Sequence, residues 1–364
     1  MVAVEKAEPG LGRDHERVES LDDAATGLRG VIAIHSRALG PAMGGVRLSV
    51  YPGPEAATAD ALLLSRAMTL KNSAAGLDLG GGKAVLIDDG RWGDPVLREE
   101  RLRAFGREIE RLDGDYVTAE DVGTAPADMV AIGRETGWVA GRPRGEGGRG
   151  DPSSVTARTV FAAVAAGAEA RLGADSVGGL RVGVLGTGHV GSHLARLLAE
   201  GGATVLVADL DRRRAAALAA EVDGAVADPA ELVLADLDVL CPCALGGVIE
   251  AGTVDRLRAR VIAGAANNQL ADPALAAALA GAGVLYVPDF LANSGGIIDV
   301  AAEILGYDDR EVERRLVEAE LRIGDLLARA AEQGRTPWDL AVELAWERVA
   351  RAAIGAAAGG RERR

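Results

Sequence analysis

Leu180-Arg181-Val182-Gly183-Val184-Leu185-Gly186-Thr187-Gly188-His189-Val190-Gly191 is the stretch that decides the fold. Its first six residues read as a buried strand, and the rest as a glycine turn opening a helix that runs to Glu200. A second strand, Thr204 to Ala208, follows and ends at Asp209, eighteen positions after Gly191. In a chain with 49 glycines a lone glycine pattern says little. The order strand, glycine turn, helix, strand, acid is specific. Gly186 permits the turn, Gly188 lets backbone amides reach a pyrophosphate, and Gly191 lets helix and strand pack closely. The start of the helix, with Thr187, His189 and Val190 around it, supplies partial positive charge. Asp209 is placed to accept hydrogen bonds from an adenosine ribose, which favours NAD over NADP. Arg212, Arg213 and Arg214 stand close by and would welcome a 2′-phosphate. The stretch predicts a Rossmann dinucleotide-binding domain.

Strand–helix units continue from there to about residue 290. Two segments, Val239–Gly246 and Val261–Asn268, run from apolar strands into small and polar residues, among them Cys243, Ala244, Asn267 and Asn268. Ligands of open parallel sheets sit at the carboxyl ends of the strands, so these loops belong near a nicotinamide. The tail from Asp308 to Ala358 reads as two amphipathic helices broken near Gly334–Pro337, and Gly359–Arg364 reads as disordered. Upstream of the glycine turn lies a long alanine-rich helix from Ser154 to Leu172. Before it, residues 140 to 153 are rich in glycine and arginine and read as a mobile loop at a domain boundary.

The first half also alternates strands and helices. Val31–His35 reads as a strand, Leu39–Gly45 as a turn and Val46–Val50 as a second strand. A helix from Pro54 to Ser73 shows the apolar stripe Ala57, Ala61, Leu64, Ala67, Met68 and Leu70. Ala84–Ile87 reads as a strand, Val96–Leu112 as a helix and Tyr116–Ala119 as a strand. Within this half, Leu79-Gly80-Gly81-Gly82-Lys83-Ala84-Val85 carries a lysine behind three glycines, with Lys71 twelve residues upstream. Spacing alone fits two solvated surface lysines beside a turn, as most lysines are. Brought together in a cleft, one ammonium would hold an anion. The other, its charge disfavoured by burial and by its neighbour, would serve as a neutral amine base.

Composition narrows the remaining classes. The 364 residues suit about two domains, and 48% hydrophobic with 26% charged residues suits a globular protein with a substantial core. A net charge of −14 argues against a nucleic-acid or anionic membrane partner. Met1–Arg13 has no apolar stretch of the signal-peptide kind, and no run approaches a membrane span. Cys241 and Cys243 are the only cysteines and lie too close for a good disulfide, which fits a reducing cytoplasm. His189 and His193 have a zinc-compatible spacing but lack a third ligand, so no metal is expected.

Seven segments together resemble the Glu/Leu/Phe/Val amino-acid dehydrogenases, most closely the leucine and valine dehydrogenases. They are Leu39–Arg47 (LGPAMGGVR), Leu64–Val85 (LSRAMTLKNSAAGLDLGGGKAV), Tyr116–Thr124 (YVTAEDVGT), Gly186–Gly191, Pro242–Gly246 (PCALG), Gly264–Leu270 (GAANNQL) and Tyr286–Val300 (YVPDFLANSGGIIDV). The resemblance implies an α/β protein of two domains with a cleft between them. A substrate and oligomerisation domain with a mostly parallel sheet would span 1–145, a Rossmann NAD-binding domain 146–330, and a C-terminal segment, 331–364, would return to the first domain. It implies that Lys71, with backbone at Gly44 and Gly45, binds the substrate α-carboxylate. Lys83 would be the catalytic lysine and Asp121 the carboxylate that handles the amino group and its protons. Asn268 would stand between substrate and nicotinamide. Met43, Met68, Ala119, Ile297 and Val300 would surround the substrate side chain. Gly186–Gly191, Asp209, Thr156, Cys243, Ala244 and Asn267 would hold NAD. The implied activity is reversible oxidative deamination of branched-chain L-amino acids to 2-oxo acids and ammonia by a homo-oligomer, a dimer or larger. The alternatives are a phenylalanine dehydrogenase and a catalytically silent NAD-binding regulator. Departures from the family pattern are Leu70 where an aromatic is common, Ser294 where alanine is common, and Cys241 beside Pro242-Cys243.

Overall fold

The computed structural model describes residues 14–244 and 246–359. The expected absence of a signal sequence in Met1–Arg13 and the expected disorder past Gly359 fall outside them. The chain divides into two compact units. One comprises Met1–Asp151, Val300–Tyr307 and Ala345–Arg364, the other Pro152–Asp299 and Asp308–Leu344.

The first unit is built on β1 (Arg17–Asp23), β2 (Leu28–Ser36), β3 (Ala42–Ser49), α1 (Pro54–Ala74), β4 (Gly80–Ile87), α2 (Pro95–Glu110), β5 (Tyr116–Glu120) and α3 (Pro126–Gly133). Its sheet has the order β1-β2-β4-β3-β5. β3 pairs in parallel with β4 and β5, while β2 runs antiparallel to both its neighbours. Side chains alternate across the sheet. Ile32, Ile34, Val46, Leu48, Ala84 and Leu86 share one apolar core with Phe105 and Met129 of the helices α2 and α3. Val31, Ala33 and Val85 belong to the opposite face, which packs on Ala57 and Ala61 of α1. Arg47 is paired with Val85, and Lys83 lies two residues before Val85, so both charged side chains take the α1 face.

Three sequence expectations change here. Leu39–Gly45 is not all turn, because β3 begins at Ala42 and its Met43 pairs with Gly81 and Val117. The three glycines before Lys83 are buried strand. Their missing side chains are what allows close packing, since a Cβ at Gly81 would collide with the Thr69 backbone and one at Gly82 would stand 2.7 Å from the Tyr116 ring. The face of α1 is also rotated from the expected stripe. Its buried residues are Ala57, Ala61, Ser65, Thr69, Asn72, Ser73 and Ala74, whereas Ala67 is exposed. A helix pressed onto a glycine strand leaves room for small and polar side chains only, provided the polar atoms are satisfied. Thr69 Oγ1 bonds His35 Nδ1 at 2.9 Å, and Asn72 Nδ2 donates to the carbonyls of Met43 and Gly80, while the buried Asn72 Oδ1 accepts no hydrogen bond among the described residues.

The Gly/Arg-rich segment is folded against its own unit. Its backbone N–H groups at Gly141 and Arg149 donate to the two carboxylate oxygens of Glu303, at 3.1 and 2.8 Å. That single carboxylate closes the segment into a loop and satisfies both donors.

The second unit runs α4 (Ser153–Leu172), β6 (Arg181–Leu185), α5 (His189–Glu200), β7 (Thr204–Ala208), α6 (Arg212–Glu221), β8 (Ala225–Val226), α7 (Pro229–Val233) and β9 (Val239–Pro242). It continues through α8 (Ala251–Val254), β10 (Val261–Ile262), α9 (Leu275–Gly281), β11 (Leu285–Tyr286) and α10 (Asp289–Ala292). Three longer helices follow in the chain: α11 (Ser294–Leu305) and α13 (Pro337–Gly359) each begin in the second unit and end in the first, and α12 (Asp309–Gln333) lies wholly in the second unit. Its six strands are all parallel in the order β11-β10-β9-β6-β7-β8. That is the doubly wound Rossmann order, with the reversal between β6 and β9. Strands buried on both faces need continuous apolar runs, as Val182, Val184, Leu185 and Val239, Leu240, Cys241 provide. Among the described residues no helix is long and apolar enough to cross a membrane.

Candidate active site and dinucleotide site

Lys83 stands on β4 with its side chain 6% exposed, and its Nζ donates to Asp121 Oδ2 at 2.8 Å. Burial pulls the ammonium pKa down and Asp121 pushes it up; burial prevails. Burial also raises the Asp121 carboxyl, but Lys83 and Arg47 outweigh it and hold the acid below its ordinary value. The pair therefore favours a carboxylate beside a lysine that gives up its proton readily.

Local structure fixes Asp121. It follows β5 in a turn where the Thr124 N–H donates to the Asp121 carbonyl at 3.0 Å and Thr124 Oγ1 donates to the Val46 carbonyl. Gly123 closes the turn at φ +83°, a left-handed conformation suited to glycine, and a Cβ there would collide with the Leu48 carbonyl. Gly45 lets the Asp121 segment approach, since a Cβ would stand 2.9 Å from Asp121 Cβ. At Gly44 a Cβ would lie 3.1 Å from Met68 Cγ, and the Gly44 carbonyl accepts from the buried Tyr116 hydroxyl at 2.8 Å. Met43 is fully buried, Ala119 nearly so and Met68 half-buried. Lys71 is half-buried in the last turn of α1, two residues past Thr69, where α1 crosses β4 two residues before Lys83. The first unit thus gathers Met43, Gly44, Gly45, Met68, Lys71, Lys83, Ala119 and Asp121 around the junction of β3, β4, β5 and α1.

Arg47, Asp60 and Tyr51 were not singled out by the sequence. Arg47 Nε donates to Asp121 Oδ2 at 3.0 Å and its Nη1 to Asp60 Oδ2 at 3.1 Å, while the Tyr51 hydroxyl donates to Asp60 Oδ2 at 2.5 Å. The only available signal was the alternation that puts Arg47 on the Lys83 face.

In the second unit the glycine turn lies at the switch point. Gly186 has φ +105°, and a Cβ on it would stand 2.7 Å from the Ala244 nitrogen. A Cβ on Gly191 would collide with the Gly186 carbonyl and lie 3.3 Å from Cys243 Cβ. Among the described residues nothing stands within 4 Å of the Cβ position of Gly188 and no side chain caps α5, whose first residue His189 is exposed. An open approach over Gly188 to an uncapped helix start is the cradle that a pyrophosphate requires. Val190 is half-buried behind it.

Asp209 Oδ2 accepts from the Thr187 N–H at 2.7 Å and its hydroxyl at 3.0 Å; Oδ1 accepts from the Asp211 N–H at 2.9 Å and Arg214 Nη2 at 2.8 Å. Burial raises this acid, but those donors outweigh it and hold the carboxyl well below the usual range. Of the three nearby arginines, it is Arg214 that lies on the carboxylate. The residues fit NAD: the turn is open where phosphate would lie, and the acid at the end of β7 is ionised.

Asn267 and Asn268 are exposed on the loop after β10. Asn268 has φ +52°, and its carbonyl accepts from the Gly247 N–H. Gln269 Nε2 donates to the carbonyls of Gly264 and Ala266, and Asn293 Nδ2 donates to Asn267 Oδ1 at 2.8 Å. Gln269 and Asn293 thus brace this loop, a role that sequence reading did not assign. Thr156 on α4 is buried beside Gly296, whose Cβ would stand 2.6 Å from Thr156 Oγ1. Ile297 and Val300 are half-buried and three apart on α11.

A dinucleotide cradle in one unit and a buried lysine–carboxylate pair in the other are the equipment of an NAD-dependent dehydrogenase. The chain belongs to the Glu/Leu/Phe/Val dehydrogenase family. Residues 15–137 match the Glu/Leu/Phe/Val dehydrogenase dimerisation domain and residues 208–356 the Glutamate/Leucine/Phenylalanine/Valine dehydrogenase model. Residues 157–246 match the NAD binding domain of D-isomer specific 2-hydroxyacid dehydrogenases. Leucine dehydrogenase of Geobacillus stearothermophilus is 41% identical over 92% of this chain and 91% of its own length. Valine dehydrogenase of Streptomyces virginiae is 45% identical over 92% of this chain and 94% of its own. The crystal structure of L-tryptophan dehydrogenase from Nostoc punctiforme aligns with a TM-score of 0.82 at 36% identity, covering 94% of this chain and 97% of that one.

Proposed function

We propose that this chain catalyses the reversible NAD-dependent oxidative deamination of leucine, valine and isoleucine to 2-oxo acids and ammonia. The observation that carries the reading is the Lys83–Asp121 pair, a buried amine 2.8 Å from a carboxylate. Lys71, with the backbone of Gly44 and Gly45, orients the substrate carboxylate. Asp121 takes a proton from the substrate ammonium. NAD, when bound, accepts hydride from Cα. Lys83, neutral because burial disfavours its charge, then deprotonates the water that attacks the resulting iminium carbon. Asp121 returns a proton to the departing ammonia. Asn268 lies against the substrate, and Thr156, Cys243, Ala244 and Asn267 against the cofactor.

Met43, Met68, Ala119, Ile297 and Val300 offer only apolar atoms to the side chain. A glutamate there would bury a second carboxylate without a partner, which is strongly unfavourable. The leucine and valine dehydrogenases named above support the branched aliphatic choice. One methylene is worth only ~1–3 kcal/mol of discrimination, so all three branched substrates are expected to react. The match of residues 15–137 to a dimerisation domain supports a homo-oligomer, and the need for NAD supports a cytoplasmic setting.

The test is NADH formation from NAD with L-leucine, isoleucine, valine, phenylalanine, tryptophan, glutamate and alanine. Activity on the branched set is expected. Preference for phenylalanine or tryptophan would replace the substrate assignment. Silence on every amino acid with NAD still bound would make the protein a regulator.

A further inference from the structure

The lysine pair does not end at Asp121. Asp121 Oδ2 accepts from Lys83 Nζ at 2.8 Å and from Arg47 Nε at 3.0 Å. Among the described residues nothing donates to Asp121 Oδ1, and a quarter of the side chain, 25%, stays accessible. Arg47 is held in turn by Asp60 Oδ2 at 3.1 Å, and that oxygen also takes the Tyr51 hydroxyl at 2.5 Å. We propose that Arg47, steadied by Asp60 and Tyr51, is a positioning residue that pins Asp121 in one rotamer, commits Oδ2 to Lys83 and leaves Oδ1 for the substrate amino group. The proposal rests on the amino-acid dehydrogenase reading and deepens it.

Two donors converging on one oxygen from different strands fix the plane of a carboxylate that either alone would let rotate. β3 and β4 are paired in parallel, so the distance between the guanidinium and the amine is set by the sheet. A guanidinium stays charged at every working pH. When Lys83 loses its proton, Arg47 still neutralises the carboxylate, which would otherwise lie part-buried without a cation. The same positive charge opposes the Lys83 ammonium. The pair titrates as a coupled unit, and Arg47 biases it so that the lysine gives up the proton while the acid stays ionised. The other groups bearing on the pair are Asp60 of α1, Tyr51 of the loop between β3 and α1, and Glu120 and Tyr116 of β5. α1 also carries Lys71, and β2 carries His35.

The experiment is kcat/KM for L-leucine oxidation against pH in the full-length wild type, Arg47→Met, Arg47→Gln and Arg47→Lys, with thermal melting and NAD affinity measured alongside. Activity rises with pH as Lys83 becomes neutral. Removing the guanidinium lets the Lys83 pKa climb, so in Arg47→Met and Arg47→Gln the rising limb moves to higher pH by about one unit. The neutral-pH rate falls roughly tenfold or more, with NAD affinity unchanged. Arg47→Lys keeps the charge but not the second bond to Asp60, so its limb returns toward the wild-type position while kcat stays low. A folded Arg47→Met or Arg47→Gln whose limb coincides with that of the wild type overturns the proposal. If Arg47→Met does not fold, Arg47→Gln, which keeps an N–H donor, decides. A wild type silent on all amino acids would sink the dehydrogenase reading and this inference with it. An active wild type with an unmoved limb would sink only the role of Arg47.

Discussion

The lysine site and the glycine turn solve opposite problems. Around Lys83 the chain assembles charge. An amine, two carboxylates, a guanidinium and a phenol hydroxyl are joined by hydrogen bonds of 2.5 to 3.1 Å on one face of a sheet. Around Gly188 it assembles absence: among the described residues nothing stands within 4 Å of a Cβ position and no side chain caps the helix that follows. The first site depends on which side chains are present and how each biases the proton of the next. The second depends on backbone shape. Chemistry that moves protons needs the former, and a ligand that brings its own charge needs the latter.

The two sites should therefore fail differently. Lys83→Ala removes the proposed base and should lower kcat about 1,000-fold, within the ~10²–10⁴ typical of general acid–base groups. NAD affinity, measured by fluorescence titration, should hold. A variant with wild-type kcat would remove Lys83 from the chemistry. Gly188→Ala should do the reverse. The added methyl meets nothing among the described residues, so the melting temperature should stay put, yet it fills the space over the helix start. NAD should bind roughly tenfold or more weakly, about 1.4 kcal/mol or more. Loss of thermal stability with NAD affinity retained would mean that Gly188 serves the fold alone.

How far each site could be read from sequence follows from the same contrast. The glycine turn was legible because its meaning is local: Gly186, Gly191 and Asp209 lie within one strand–helix–strand unit, and the strand order confirms their context. Lys83 and Asp121 were legible through family resemblance, being 38 residues apart in sequence. Arg47, Asp60 and Tyr51 were not, because nothing local distinguishes an arginine in a strand from a solvated one. The α1 face was misjudged for a related reason. Hydrophobic periodicity assumes that a helix packs on bulky side chains, whereas β4 offers glycines, so the polar Ser65, Thr69 and Asn72 went inward and Ala67 outward.

Within the dinucleotide site, Asp209 sharpens the comparison, because there a charge serves the backbone. Its two oxygens hold Thr187, Asp211 and Arg214. Asp209→Ala should weaken NAD about tenfold, through loss of the proposed ribose contact and a loosened turn. NADP should weaken less, since the Arg214 guanidinium is then released toward a phosphate. The check is the ratio of the two dissociation constants. A ratio that does not move would mean that another residue reads the ribose.

The smallest effect belongs to Asn268, where backbone and side chain can be separated. Its φ of +52° lies in the left-handed region, which asparagine enters more readily than most residues. Its side chain makes no hydrogen bond among the described residues, while Gln269, Asn293 and Gly247 hold the loop around it. Asn268→Gly keeps the backbone conformation available and removes the carboxamide. Any gain from relieved strain and any loss to extra unfolded-state freedom should nearly cancel, leaving stability within about 1 kcal/mol by denaturant titration. An activity loss in so quiet a background could come only from the missing carboxamide, which would place Asn268 with the side-chain chemistry of Lys83. Unchanged kcat and KM would instead mean that the loop needs only its left-handed turn, and Asn268 would join Gly188 among the residues that matter for shape.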